Sequence, residues 1–219
     1  MKQTVRFLGV CLIGVLTLFG LWEAAVPAQS NRPNIVVILA DDLGYGDLSC
    51  YNPQSKIRTP HLDELAKRGL RFTDAHSPSS VCTPTRYSLL TGRYPWRSRL
   101  KSGVLRPLDS PLIEAGRLTL PAMLKQQGYA TAIIGKWHLG WSWGNIQAGE
   151  KSVDFSQQIQ DGPNKRGFDY SFCIPASLDM PPYAYVENGL CTAIPKDSIA
   201  GMTGIRLFRA GLAAPDFKP

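Results

Sequence analysis

Cys82-Thr83-Pro84-Thr85-Arg86 sets a thiol, a proline and a guanidinium close together within the segment SVCTPTRYSLLTGR, Ser80 to Arg93. A cysteine attacks as its thiolate and needs a base or a positive environment to do so. Pro84 suits the first turn of a helix, and Tyr87, Leu89 and Leu90 offer core contacts before Gly92 ends it. Cys82 is therefore expected at a helix N-terminus, where N–H groups and the dipole favour negative charge. Arg86 follows one turn later on the same face. The plainer alternatives are an inert buried thiol and a surface arginine.

Two other groups could join this chemistry. Asp41 and Asp42 are adjacent hard oxygen donors after an apolar run, suited to Ca²⁺ or Mg²⁺ rather than a thiophilic metal, although such a pair is usually a solvated turn or a helix cap. Lys136 and His138 are two residues apart in GYATAIIGKWHLG, Gly128 to Gly140, so on an extended segment both would point to one side, with Trp137 between them as a core anchor. Ordinary surface chemistry is the alternative for each.

The elements that must hold these groups alternate. NIVVILA, 34 to 40, is apolar and β-branched on both faces, as in a buried parallel strand, and leads directly into Asp41-Asp42. Carboxylates there would lie where open α/β sheets bind ligands. Thr59-Pro60 opens a helix running through His61 to Arg68, and 70–77 reads as the next extended segment. A helix over 119–127 and a buried strand over 129–136 follow, and Ile205 to Leu212 reads as a helix. The pattern is that of an α/β domain with a largely parallel sheet.

Taken together, CTPTR with Thr91-Gly92, the passage Arg32 to Asn52 and the passage Gly128 to Gly140 resemble the type I sulfatases. The resemblance implies an alkaline phosphatase-like α/β/α sandwich. It implies that Cys82 is oxidised to formylglycine by a formylglycine-generating or anaerobic sulfatase-maturing enzyme. It also implies that Asp41, Asp42 and residue 82 ligate Ca²⁺, that Lys136 bridges nucleophile and sulfate, and that His138 contacts the second hydroxyl of the hydrated aldehyde. Arg86 would hold that diol. The stretches Gly167 to Tyr170 and Ser177 to Gly189 look like segments that some members place near the sulfate, with Ser177 as a hydrogen-bond donor to substrate. Tyr183 and Tyr185 could line a cleft or simply pack. The activity implied is hydrolysis of an aryl sulfate or a sulfated carbohydrate. A phosphonate or phosphodiester hydrolase of the same superfamily, and a catalytically inactive anion-binding fragment, are the alternatives.

Composition fits a globular enzyme, with 44% hydrophobic and 19% charged residues arguing against disorder. Lys2 and Arg6 precede an apolar run, Phe7 to Trp22, and Val26-Pro27-Ala28 supplies small residues for cleavage, so 1–28 reads as a secretory signal peptide and 29–219 as the N-terminal part of a catalytic domain. Export to a periplasm or the exterior is expected, with no stable membrane span after cleavage. The formal charge of +7 falls by one when Lys2, Arg6 and Glu23 leave. A basic balance favours anionic partners such as sulfated glycans, while no basic block is dense enough for nucleic acid. Cys173 and Cys191 could close a loop as a disulfide. Nothing after Ser198 matches the second calcium pair of Asp and Asn, or the further histidine and lysine, that the family supplies later in its chain. The chain is accordingly expected to be incomplete at its C-terminus and to turn over little by itself.

Overall fold

A computed structural model of the protein describes residues 32–144, 153–204 and 207–217. The segment read as a signal peptide lies outside them. The chain divides into two units, one through Leu43 and one from Gly44.

In the first unit the expected strand over 34–40 does not form. Among the described residues this run pairs with no strand, and Val36 and Ile38 are more than four-fifths exposed. A β-branched sequence supplies the side chains of a strand but not the neighbouring N–H and C=O groups that define one.

The second unit carries the recognisable elements. Helix α1 spans Pro60–Arg68, α2 spans Cys82–Thr91 and α3 spans Leu120–Gln126. Strands β1, Ala132–Lys136, and β2, Tyr170–Ile174, pair in parallel from Ala132 opposite Tyr170 to Lys136 opposite Ile174. Strands β3, Val186–Glu187, and β4, Leu190–Cys191, extend the sheet antiparallel in the order β1-β2-β3-β4. The sheet is thus mixed among the described residues, where a largely parallel one was expected. The short reversal at Asn188-Gly189 accounts for the β3–β4 pair, since a two-residue connection can join only antiparallel strands.

The segment 70–77 forms no strand, and Leu70 and Phe72 are exposed. Of the helix expected from Ile205 to Leu212, residues 205–206 lie outside the described residues and 207–212 form none. Met202 and Phe208 form a bridge, and β5, Asp197–Ile199, pairs antiparallel with β6, Gly211–Ala213. Gly211 weakens a helix there by roughly 1 kcal/mol relative to alanine.

The main core gathers Tyr87 of α2, Leu105, Leu112 and Ile113 of the following loop, and Trp137, Leu139, Trp141 and Trp143 from the segment after β1. A smaller cluster holds Tyr183, Ala184, Ala213, Ala214 and Phe217. Tyr183 and Tyr185 belong to this packing: both rings contact Phe217, and Tyr183 is 1% exposed. Tyr183 is thereby a packing residue, because burying a ring among other rings gains more than leaving it open, while Tyr185 stays half-buried.

The proposed Cys173–Cys191 bridge is absent, and both residues are free thiols. Cys173 lies opposite Val186, and Val186 lies opposite Cys191. Two strand spacings separate the cysteines, about 10 Å between Cα atoms, beyond the roughly 7 Å that a disulfide spans.

Candidate active site

Cys82 is the first residue of α2 and is half-buried. Val81 is its N-cap, extended in φ and ψ, and an aliphatic side chain makes no capping hydrogen bond to the first-turn N–H groups. At the other end Gly92 takes φ 64, the left-handed conformation that closes a helix, and its N–H donates to Ser88 O.

Helix α2 is fastened to the end of β1 by two of its side chains. Arg86 Nη1 donates to the backbone carbonyl of Lys136 at 2.6 Å. Thr83 Oγ1 donates to the carbonyl of His138 at 3.0 Å and accepts from Leu105 N at 3.2 Å. Residues 82, 86, 136 and 138 are therefore linked through three consecutive parts of one framework: helix, strand end and the loop around Leu105.

Lys136 is the last residue of β1, and its Nζ donates to Ser177 Oγ at 2.7 Å. Ser177 follows β2 by three residues, so both groups stand at the carboxyl edge of the parallel pair, where α/β sheets place ligands. His138 does not continue the strand. Its φ is 53, so the alternation rule that placed it beside Lys136 does not govern it. Its N–H donates to Pro175 O at 3.1 Å, its ring is 1% exposed, and Nε2 lies 2.8 Å from Leu105 O. A carbonyl only accepts, so Nε2 carries the proton and Nδ1 holds the lone pair of the neutral ring.

Trp137, Trp141 and Trp143 clamp this segment. Their indole N–H groups donate to Gly140 O, Pro175 O and Pro107 O. Gly140, at φ 83, lies so close to the loop that a Cβ there would meet Ser110 O at 2.2 Å.

Behind α2, Tyr87 Oη donates to Glu114, and Arg93 Nη1 lies 3.0 Å from Glu114 Oε1. Burial, reinforced by the Glu114 charge, pushes the Tyr87 phenol up. Burial also acts to raise Glu114, but its own backbone N–H, Tyr87 and the two guanidiniums of Arg117 and Arg93 outweigh it and hold the carboxyl below its ordinary value. Cys173, on β2 beside Arg86, is pushed up to about 12 by burial, which the Arg86 charge offsets only in part.

Asp169 lies away from Lys136. It precedes β2, at the amino end of the parallel pair, five residues or about 16 Å from the Lys136 end. There it accepts from Thr131 N at 2.9 Å and pairs with Lys125. The passage 167–170 thus clasps strands rather than approaching the expected sulfate position.

Asp41 and Asp42 belong to the first unit, both exposed, with Asp42 at φ 57. Among the described residues no three His, Cys, Asp or Glu side chains cluster to hold a metal. Two carboxylates match Ca²⁺ in kind but fall short of its shell of six to eight oxygens. No chemical step is assigned to the ion.

A strand-end lysine, a helix-start cysteine and a buried histidine thus stand in one framework. The sulfatase family model matches residues 33–198. The chain belongs to that family, and its fold class is the α/β alkaline phosphatase-like one. An N-acetylgalactosamine-6-O-sulfatase from Bacteroides thetaiotaomicron is 45% identical over 173 residues, covering 78% of this chain and 32% of that protein. Bovine arylsulfatase A is 53% identical over 117 residues, 53% of this chain and 23% of that protein. A solved structure from work on glycosaminoglycan metabolism by Bacteroides thetaiotaomicron superposes with a TM-score of 0.67 at 44% identity, covering 75% of this chain and 33% of that one. The chain spans about a third of the length of these relatives or less.

Thr83 and Leu105 were not among the residues the sequence singled out. A threonine beside a cysteine reads as filler, since its partner His138 comes 55 residues later. Only the threonine's place inside the helix's first turn, facing the core, could have pointed to it.

Proposed function

We propose that the chain provides the nucleophile-bearing part of a sulfate monoester hydrolase. The observation that carries this reading is the joining of α2 to β1: Arg86 and Thr83 bond the backbones of Lys136 and His138, so that Cys82, Lys136 and His138 share one support. Conversion of Cys82 to formylglycine would supply, on hydration, two geminal hydroxyls. One would bond sulfur as the ester S–O bond breaks and the alcohol leaves with a proton, and loss of the second's proton would expel sulfate and restore the aldehyde.

Around that group each residue has a task. Arg86 has five N–H donors, so it can bond Lys136 O and still donate to a hydroxyl at position 82. Lys136 and Ser177, already 2.7 Å apart, present donors to sulfate oxygens as charge builds on them. His138, basic at Nδ1, takes the proton of the second hydroxyl. Asp41 and Asp42 are the carboxylates through which calcium would be held in this reading. A basic, exported chain would suit sulfated glycans, in line with the 6-O-sulfatase relative, while the arylsulfatase relative keeps aryl sulfates as the second substrate class. Residues 1–28 are the export leader in the same proposal.

The test is peptide mass spectrometry across Cys82 after co-expression with a formylglycine-generating enzyme, followed by assay of paired sulfate and phosphate esters. Aldehyde at position 82 and preference for the sulfate ester are expected. A persistent thiol would favour an anion-binding module, and preference for the phosphate ester a phosphohydrolase.

A further inference from the structure

We infer that Thr83 is a positioning residue that fixes the tautomer and ring orientation of His138. The inference rests on the proposed role of His138 as a base and adds what decides which of its nitrogens carries the proton.

Thr83 is fully buried, and its hydroxyl uses both its capacities, donating to His138 O and accepting from Leu105 N. Leu105 in turn receives the His138 ring on its own carbonyl. The three bonds close a ring: hydroxyl to His138 main chain, His138 side chain to Leu105 carbonyl, Leu105 N–H back to the hydroxyl. Each member holds the next in place.

Two features of His138 make such a hold necessary. A non-glycine residue at φ 53 is a strained conformation and persists only where its surroundings impose it. An imidazole also carries its proton on either nitrogen, and the bond made by one decides the role of the other. Leu105 O requires the proton on Nε2. Leu105 can present that carbonyl only while its peptide plane is fixed, and Thr83 fixes it by taking the N–H of the same residue. The threonine thus acts on the histidine twice, through the His138 carbonyl and through the Leu105 peptide.

A hydroxyl is essential to this role, and the methyl is not. Thr83→Ser keeps the donor and acceptor, whereas Thr83→Val keeps the shape and removes both.

Long-range ¹H–¹⁵N correlation of the imidazoles in the full chain at pH 8 tests the inference, with His138 assigned by His138→Gln. The parent chain is expected to show a protonated Nε2 and an unprotonated Nδ1, and Thr83→Ser the same. Thr83→Val is expected to show averaging between tautomers and at least tenfold faster amide exchange at Leu105. A parent chain with Nδ1 protonated overturns the inference without any variant being needed, should Thr83→Val not fold. So does a folded Thr83→Val with parental nitrogen signals and parental Leu105 exchange. These readouts are independent of turnover, so the inference fails on the tautomer alone and the hydrolase reading fails on turnover alone.

Discussion

The guanidinium of Arg86 donates to the backbone carbonyl of Lys136 at 2.6 Å, so one reactive side chain holds the main chain of another. Arg86 leaves α2 one turn after Cys82, and Lys136 ends β1. The bond therefore sets the distance between the helix that carries the thiol and the strand that carries the amine. Arg86→Ala is expected to cost about 1.5–3 kcal/mol, the range for a hydrogen bond to a charged group. Urea unfolding followed by far-ultraviolet circular dichroism reads this as a lower midpoint. An unchanged midpoint would mean that the bond contributes nothing to the joint.

Gly140 should tolerate no side chain. At φ 83, with Ser110 O only 2.2 Å from where a Cβ would stand, Gly140→Ala combines backbone strain with a collision against main chain. Gly103, at φ 68 with nothing within 4 Å, has the strain alone. Gly103→Ala is expected to cost about 1 kcal/mol, and Gly140→Ala clearly more. Equal losses in thermal unfolding would contradict the close approach of the two loops.

The stability of the chain should fall in acid, in part through Glu114. Its carboxyl is held below its ordinary value, so the folded state binds its proton less readily than the unfolded chain. The stabilisation is present above the unfolded value of 4.5 and is lost as pH falls through the lower folded value. Asp169, held down first by its hydrogen bond from Lys125 and also by Thr131, acts in the same direction. Glu114→Gln should flatten the stability profile below about pH 4.5. A variant profile parallel to the parent's would remove Glu114 from the account.

Much of this arrangement was legible in the sequence, and the remainder was hidden for identifiable reasons. Thr59-Pro60, Pro84 with Gly92, and Thr119 all mark helix ends that the fold uses, because caps and terminators act within a few residues. Lys136 and Ser177 could be named from motif spacing, and the fold brings them to 2.7 Å. The strand expected over 34–40 failed because pairing depends on a neighbour that the run itself does not encode. Asp169, in a stretch that looks like one placed near the sulfate, clasps strand starts, and Tyr183, for which cleft and packing were both open, fills a core, since residue type alone does not reveal which end of a strand, or which face, a side chain occupies. Thr83 was hidden because its partners arise from long-range contacts.

Cys173 and Cys191 should be poor nucleophiles. Burial pushes the first up to about 12 and the second, with help from Asp216, up to about 11. Since the thiolate reacts, iodoacetamide at pH 8 should label each at least roughly a hundredfold more slowly in the folded chain than in urea. Tandem mass spectrometry of quenched samples gives the rates site by site. Comparable labelling in both states would indicate that β2 and β4 open readily.

The tryptophan clamp gives the chain an optical reporter at the place of interest. Trp137, Trp141 and Trp143 are buried, and adjacent rings stand 6.3 and 5.8 Å apart, flanking the loop on which His138 sits. Emission from these indoles senses the polarity around that loop. A red shift on warming or on ligand addition would register its loosening before the helices melt, without any label being introduced.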